Sequence, residues 1–163
     1  METTAPIEKS LAFESGQTGV SYQSLFADYV ADATEITIKD SYINSATQIG
    51  NLFEFLNMLL HSCKNKGIKV HLITADKAEE HDRLIDIYEQ VKNECNSVGL
   101  KFDYEFSRGK LHNRSVATDT GWNIYLERGL FVFDGAYTAH PFALLNQELR
   151  KVLGFKVSYK HLS

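Results

Sequence analysis

The residues best equipped for chemistry lie in one run, His112-Asn113-Arg114-Ser115-Val116-Ala117-Thr118-Asp119-Thr120-Gly121-Trp122. It holds an imidazole, a guanidinium and a carboxylate in the pattern H-x-[K/R]-x4-D. In an extended strand alternate side chains share a face, so His112, Arg114, Val116 and Thr118 project together. That pairing suits phosphodiester cleavage: a neutral imidazole attacks phosphorus while a cation holds the non-bridging oxygens as negative charge builds. Asp119 would orient or polarise the imidazole. Arg114 would grip phosphate bidentately where a lysine would act as a point charge. A second group must protonate the leaving oxygen. No other stretch repeats the motif, so hydrolysis would need two chains facing each other.

The motif competes with a purely structural reading, in which Arg114 and Asp119 pair with each other or Asp119 caps the turn at Thr120-Gly121. Chance alone supplies roughly 0.03 such matches at these His, Lys/Arg and Asp frequencies, so one match is suggestive. His81-Asp82-Arg83 also reads H-x-R, but it sits in a helical pattern where residues two apart face different ways. His61 with Cys63 lie too close on a helix to chelate, and His71 has no partner at ligand spacing, so no metal and no cofactor are expected. Serine-nucleophile elbows and phosphate-cradling glycine loops are absent.

The elements that must carry the motif follow from periodicity. Leu11 and Phe13 suggest a short edge strand in an otherwise poorly patterned segment, 1–17. Ser21 caps a helix bearing Leu25, Phe26, Tyr29 and Val30. Ile36 and Ile38 alternate in a strand that leads into Asp40-Ser41-Tyr42-Ile43. Leu52 to Leu60 form an apolar helix that Lys64-Asn65-Lys66-Gly67 ends, and Ile68 to Thr74 return as a strand. A long helix runs from about Ala78 to Val98, and Leu100 to Phe106 alternate as a strand. The motif strand, its return strand Trp122 to Leu126, a helix from Pro141 carrying Phe142, Leu145 and Leu149, and a strand through Phe155, Val157 and Tyr159 complete the chain. This order predicts a single-domain α/β sandwich over 18–163, a mixed β-sheet with helices on both faces.

Composition narrows the partners. The 163 residues carry a formal charge of −4, so an anionic partner requires a local basic patch. Lys64, Lys66 and Lys69 offer one candidate beside His112 and Arg114, although lysines there also suit a helix C-terminus and a solvated loop. Cys63 and Cys95 read as reduced thiols of a cytoplasmic protein. No run approaches the roughly 18 apolar residues of a membrane span, and the first residues lack a leader pattern.

Five blocks together resemble a known family: Thr18 to Phe26, Ile38 to Ile43, His112 to Arg114, Thr118 to Trp122, and Arg128-Gly129-Leu130. In order and content they are similar to the phospholipase-D-like domain at the C-terminus of proteins carrying a microtubule-interacting and trafficking (MIT) domain. The Thr-Asp-Thr-Gly-Trp block looks closer to bacterial members found with Lon-like ATPases. The resemblance implies a phospholipase-D-like fold, a homodimer, and a fold or dimerisation role for Asp40, Tyr42, Gly121, Trp122, Arg128 and Gly129. For eukaryotic members it implies binding to phosphoinositide-bearing membranes rather than lipid hydrolysis. Catalytic phospholipase-D enzymes bring two H-x-K-x4-D motifs together, whereas this chain has one, with Arg114 at the lysine position. The family reads Gly-Leu-Asp after the return strand, and here Phe131 stands where the aspartate would be. An MIT domain is not expected in the fewer than twenty residues that precede the domain.

These readings give a first expectation of a non-catalytic module that dimerises and binds an anionic, phosphate-containing partner: a lipid headgroup or nucleic acid, as accessory to a larger system such as an ATPase. The alternative is a homodimeric phosphodiesterase or nuclease using His112, Arg114 and Asp119 from each chain. A third is an oligomerisation domain whose segment Leu130 to Phe133 packs against a partner.

Overall fold

The chain folds around one seven-stranded mixed sheet. The structure, a computed structural model, describes residues 5–109, 111 and 113–162. In chain order the elements are β1 (Lys9–Phe13), α1 (Tyr22–Val30), β2 (Glu35–Lys39), α2 (Ala46–Ser62), β3 (Lys69–Ala75), α3 (His81–Ser97), β4 (Lys101–Ser107), β5 (Ser115–Thr118), β6 (Trp122–Leu126), α4 (Pro141–Leu145) and β7 (Phe155–His161). Every element of the sequence reading is present in the expected order. The segment before residue 18 enters the sheet too, because β1 pairs antiparallel with β7 along its length.

The order across the sheet is β1-β7-β6-β5-β2-β3-β4. Two helical crossovers lay β2, β3 and β4 parallel, and the motif strand β5 then returns antiparallel against the other edge of β2. β2 is therefore the seam between a parallel half and an antiparallel half. Tight local chemistry starts the helices. The Ser21 hydroxyl accepts from the Ser24 N–H at 3.0 Å while the Ser24 hydroxyl accepts from the Ser21 N–H at 2.9 Å, a reciprocal cap that satisfies two otherwise unpaired helix-start donors. Ser45 caps α2 through the Gln48 N–H at 3.2 Å.

Alternation decides which face is buried. Ile36, Ile38, Val70, Leu72, Phe102, Val116, Ile124, Leu126, Phe155, Val157 and Tyr159 share one face and are all buried. α1 meets it through Tyr29, whose ring lies 4.3 Å from that of Tyr159 and 4.9 Å from that of Trp122. α3 meets it through Tyr88, 5.2 Å from Tyr104. Phe26 and Phe55, centroids 5.1 Å apart, join α1 to α2. Each such side chain contributes about 1.5–3 kcal/mol on leaving water.

The helical cover differs from the expected one. The single-domain α/β class and the mixed sheet are as predicted, but α1, α2 and α3 all pack on this one face. The opposite face carries Glu35, Thr37, Lys39, His71, Asp103, Glu105, Asn123, Tyr125, Lys156, Ser158 and Lys160, which are exposed or half-buried. The sheet is thus solvated on one side, as antiparallel sheets commonly are.

Two further expectations are corrected. Leu130, Val132 and Phe133 are buried at 2% exposure or less, with Phe133 against Tyr22 and the Tyr22 hydroxyl donating to the Leu130 carbonyl at 2.5 Å. That segment belongs to the monomer's own core and offers no interface. The helix at Pro141 is only five residues long, followed by a 3-10 turn at Gln147–Leu149. Its Phe142, Leu145 and Leu149 are 78%, 85% and 54% exposed instead of packed. Arg150 holds this segment in place: it donates to the carbonyls of Ala143 and Leu144, pairs with Glu54 of α2 at 2.9 Å, and stacks on Tyr137 at 3.9 Å.

Candidate functional site

Register places the two ends of the motif strand at opposite ends of the sheet. Lys39 pairs with Ser115, so Arg114 stands beside Asp40 at the carboxyl end of β2. Ile36 pairs with Thr118, so Asp119 stands beside Glu35 and Thr34 at its amino end. Five residues of strand separate Arg114 from Asp119, about 16 Å. The cation and the carboxylate of the motif do not meet.

Asp119 does a different job. Its Oδ1 accepts from the backbone N–H groups of Thr34 at 2.9 Å and Glu35 at 3.2 Å, and its Oδ2 accepts from the Thr34 hydroxyl at 2.5 Å. Desolvation pushes this carboxyl up, but these hydrogen bonds outweigh it and leave the pKa lowered. The turn behind it is equally specified. Gly121 has φ +99, and a Cβ there would lie 2.9 Å from His161 Nε2 and from the Leu162 carbonyl. Trp122 packs edge-on against Tyr29 and His161. Asp119, Gly121 and Trp122 fasten β5 and β6 to the start of β2 and the end of β7.

The carboxylate that does meet Arg114 is Asp40. It is 1% exposed, and its Oδ1 lies 3.5 Å from Arg114 Nε and accepts from the Tyr42 N–H at 2.9 Å. Oδ2 has no hydrogen-bond donor at good geometry among the described residues. Burial raises the Asp40 pKa, and the Tyr42 N–H, the Arg114 guanidinium and the Leu130 N–H offset that only in part. The Arg114 guanidinium lies 4.2 Å from the Tyr42 ring centroid, face on. Gly129, at φ +60, makes the approach possible: a Cβ there would collide with Asp40 Oδ2 and sit 2.9 Å from Arg114 Cδ. Thus Asp40, Tyr42, Arg114 and Gly129, from three separated sequence blocks, form one packed cluster.

The cluster opens into a groove of about 870 Å³. Among the described residues, Arg114, Arg128 and Lys156 line it with one carboxylate, Glu127, together with Tyr42, Tyr125, Asn113, Ser10 and Ser158. Arg128 is oriented by its Nε, which donates to the Gly154 carbonyl at 2.8 Å. Lys156 and Tyr125 went unnoticed in the sequence because they come from two further strands and have no fixed spacing from the motif. Their one sequence signal is the polar half of the alternation in β6 and β7.

The remaining candidates fall elsewhere. His112 lies outside the described residues. Lys64 and Lys69 sit at the far end of the sheet, with Lys64 3.3 Å from Asp32 and Lys69 4.0 Å from Glu35. They and Lys66, in the same connection, do not share the groove with Arg114. Burial pushes the Cys63 and Cys95 thiols up to about 11, away from nucleophilic use. Among the described residues no group of three or more His, Cys, Asp or Glu side chains is placed to hold a metal ion, and no helix is long and apolar enough to cross a membrane.

Comparison with known proteins adds the following. Residues 19–161 match the family described as the phospholipase D-like domain at the C-terminus of MIT. MIT domain-containing protein 1 of Mus musculus is 32% identical over 128 residues, which cover 77% of this chain and 50% of the mouse protein. The chain thus spans about half the length of this curated relative. Among solved structures, polyphosphate kinase from Porphyromonas gingivalis aligns with 95% of this chain and 23% of its own, at 12% identity and a TM-score of 0.49.

Proposed function

The chain belongs to the family of phospholipase D-like domains found at the C-terminus of MIT proteins, and from that premise we propose that it binds phosphate esters in the Arg114 groove without hydrolysing them. The observation that carries this reading is the state of Arg114. Asp40 fixes its Nε and Tyr42 covers one face, so the terminal nitrogens are left to present a bidentate edge to the groove. Arg128 and Lys156 add charge to the same groove, where Glu127 is the one carboxylate among the described lining residues and Asp40 pairs with Arg114 behind it.

Hydrolysis needs more. A nucleophilic imidazole must be oriented by a carboxylate, and Asp119, the carboxylate of the motif, is committed to Thr34 and Glu35. Pairing two copies would bring together the two motif imidazoles that attack and leaving-group protonation ask for, but each Asp119 would still be held by its own Thr34 and Glu35. Self-association of two copies is part of this proposal, and light scattering of the purified chain tests it. So is service within a larger system, in keeping with the relative that carries an MIT domain in its name.

The direct test is a nuclear magnetic resonance titration with inorganic pyrophosphate, run beside a turnover assay on bis(p-nitrophenyl) phosphate. Saturable shifts at Arg114, Arg128 and Lys156, their loss in Arg114→Ala, and no p-nitrophenolate release are the expected results. Turnover that disappears in His112→Ala would establish the phosphodiesterase alternative instead.

A further inference from the structure

We propose that the occupant of this groove is single-stranded nucleic acid, with its phosphates on Arg114, Arg128 and Lys156 and a base stacked on Tyr125. The inference rests on the phosphate-binding reading above and adds the class of ligand. Lys156 lies on β7, Tyr125 on β6, and Arg114 leads into β5. Two strand spacings, about 10 Å, therefore separate their strands, and alternation turns Lys156 to the solvated face while Arg114 reaches Asp40 at the strand end, so the two cations stand further apart still. A single phosphate monoester would engage one of them and leave the other empty, whereas a strand with successive phosphodiesters engages both.

Tyr125 supplies what a phosphate site alone would not require. It is 38% exposed on the solvated face of the sheet, and its register neighbours there are Ser115 and Ser158, both small. Beyond Ser158 lies Ser10, its hydroxyl 3.2 Å from that of Ser158. These small neighbours leave part of the Tyr125 ring open to the groove. Tyr42, 53% exposed and backed by the Arg114 guanidinium, is a second flat plate lining the groove. Aromatic plates beside a cationic track are the elements that hold single strands independently of sequence, because every base has a stacking face.

A lipid surface fits less well. It would ask for apolar side chains projecting beside the cations, to enter the bilayer as the headgroups bind. The aliphatic residues that line the groove, Leu11, Leu111, Leu126 and Val157, are half-buried or buried, and Ser10, Asn113, Lys156 and Ser158 line it with them. The most exposed apolar residues, Phe142 and Leu145, belong to the segment that Arg150 and Glu54 tie to α2, on the helical side of the sheet. The groove walls on the solvated side point elsewhere.

Fluorescence anisotropy with a short fluorescein-labelled oligo(dT) tests the proposal on the full chain. Affinity should fall with salt at a log–log slope of about −2, for three cations at roughly 0.7 each. Tyr125→Ala should weaken binding about tenfold or more, Tyr125→Phe should retain it, and Lys156→Ala should flatten the salt slope by about 0.7. Unchanged circular dichroism of these surface variants confirms that they fold. Two parallel arms use inorganic pyrophosphate, and phosphatidylcholine vesicles containing phosphatidylinositol phosphate. If pyrophosphate or the vesicles bind and oligo(dT) does not, the nucleic-acid inference is overturned while the phosphate groove stands. Binding of oligo(dT) that is indifferent to Tyr125→Ala overturns the stacking assignment. If none of the three probes binds, both readings fall.

Discussion

Replacing Asp119 by alanine separates the two roles that its place in the motif suggests. The carboxylate accepts three hydrogen bonds, from the Thr34 N–H, the Thr34 hydroxyl and the Glu35 N–H. Buried hydrogen bonds to a charged group are worth about 1.5–3 kcal/mol each, but this site is exposed and screened, so the comparison is with a helix cap, at about 0.5–2 kcal/mol in all. The upper end applies, because two backbone donors lose their acceptor together: about 1.5–2 kcal/mol. In a domain of this size that lowers Tm by about 4–6 °C. Urea unfolding monitored by circular dichroism measures the loss, and the pyrophosphate titration measures any effect on the groove. The lowered pKa fixes the pH signature. Asp119 contributes its stabilisation above the unfolded carboxyl value, about 3.9, and loses it as pH falls through the lower folded value. The gap between wild type and Asp119→Ala should therefore be full at neutral pH and close in acid. An Asp119→Ala protein with wild-type stability and an empty groove would refute the placement of Asp119 as a structural clamp.

Two other substitutions probe the clusters around it. Asp40 has a raised folded pKa, so its stabilising contribution is greatest below the unfolded carboxyl value and is lost as pH rises through the folded one; the ionised group at neutral pH is a net liability. Asp40→Asn should accordingly leave urea stability unchanged or slightly higher at pH 7, yet weaken pyrophosphate binding by freeing Arg114, and a large loss of stability would contradict this account. Arg150→Met should destabilise by about 2–4 kcal/mol, because the carbonyls of Ala143 and Leu144 lose their buried donor and Glu54, which keeps Gln147, loses its cation. Hydrogen exchange should localise the resulting opening to residues 134–150.

The family relation came from blocks whose meaning is now physical. Asp40, Tyr42, Arg114 and Gly129 are far apart in the chain, yet a single contact geometry binds them: the Asp40 carboxylate needs the space that only a glycine at 129 leaves. Gly121 is similarly confined by His161 and Leu162. Those residues are specified by their neighbours in space, and spacing along the chain reports only that they are present.

The sequence by itself determined the elements and their order, because helical and strand periodicity are local properties of a few adjacent residues. It also singled out Arg114, which lines the groove, and its alternating strands already carried a polar face. Only the tertiary structure decided that all three long helices pack on one side of the sheet. Pairing register separated the motif's carboxylate from its cation, since Asp119 and Arg114 lie at opposite ends of β5. The same register supplied Asp40 in exchange, and drew Tyr125 and Lys156 from β6 and β7 into the groove. Hydrogen bonding between strands distant in sequence sets which side chains become neighbours, and no spacing within one strand encodes it.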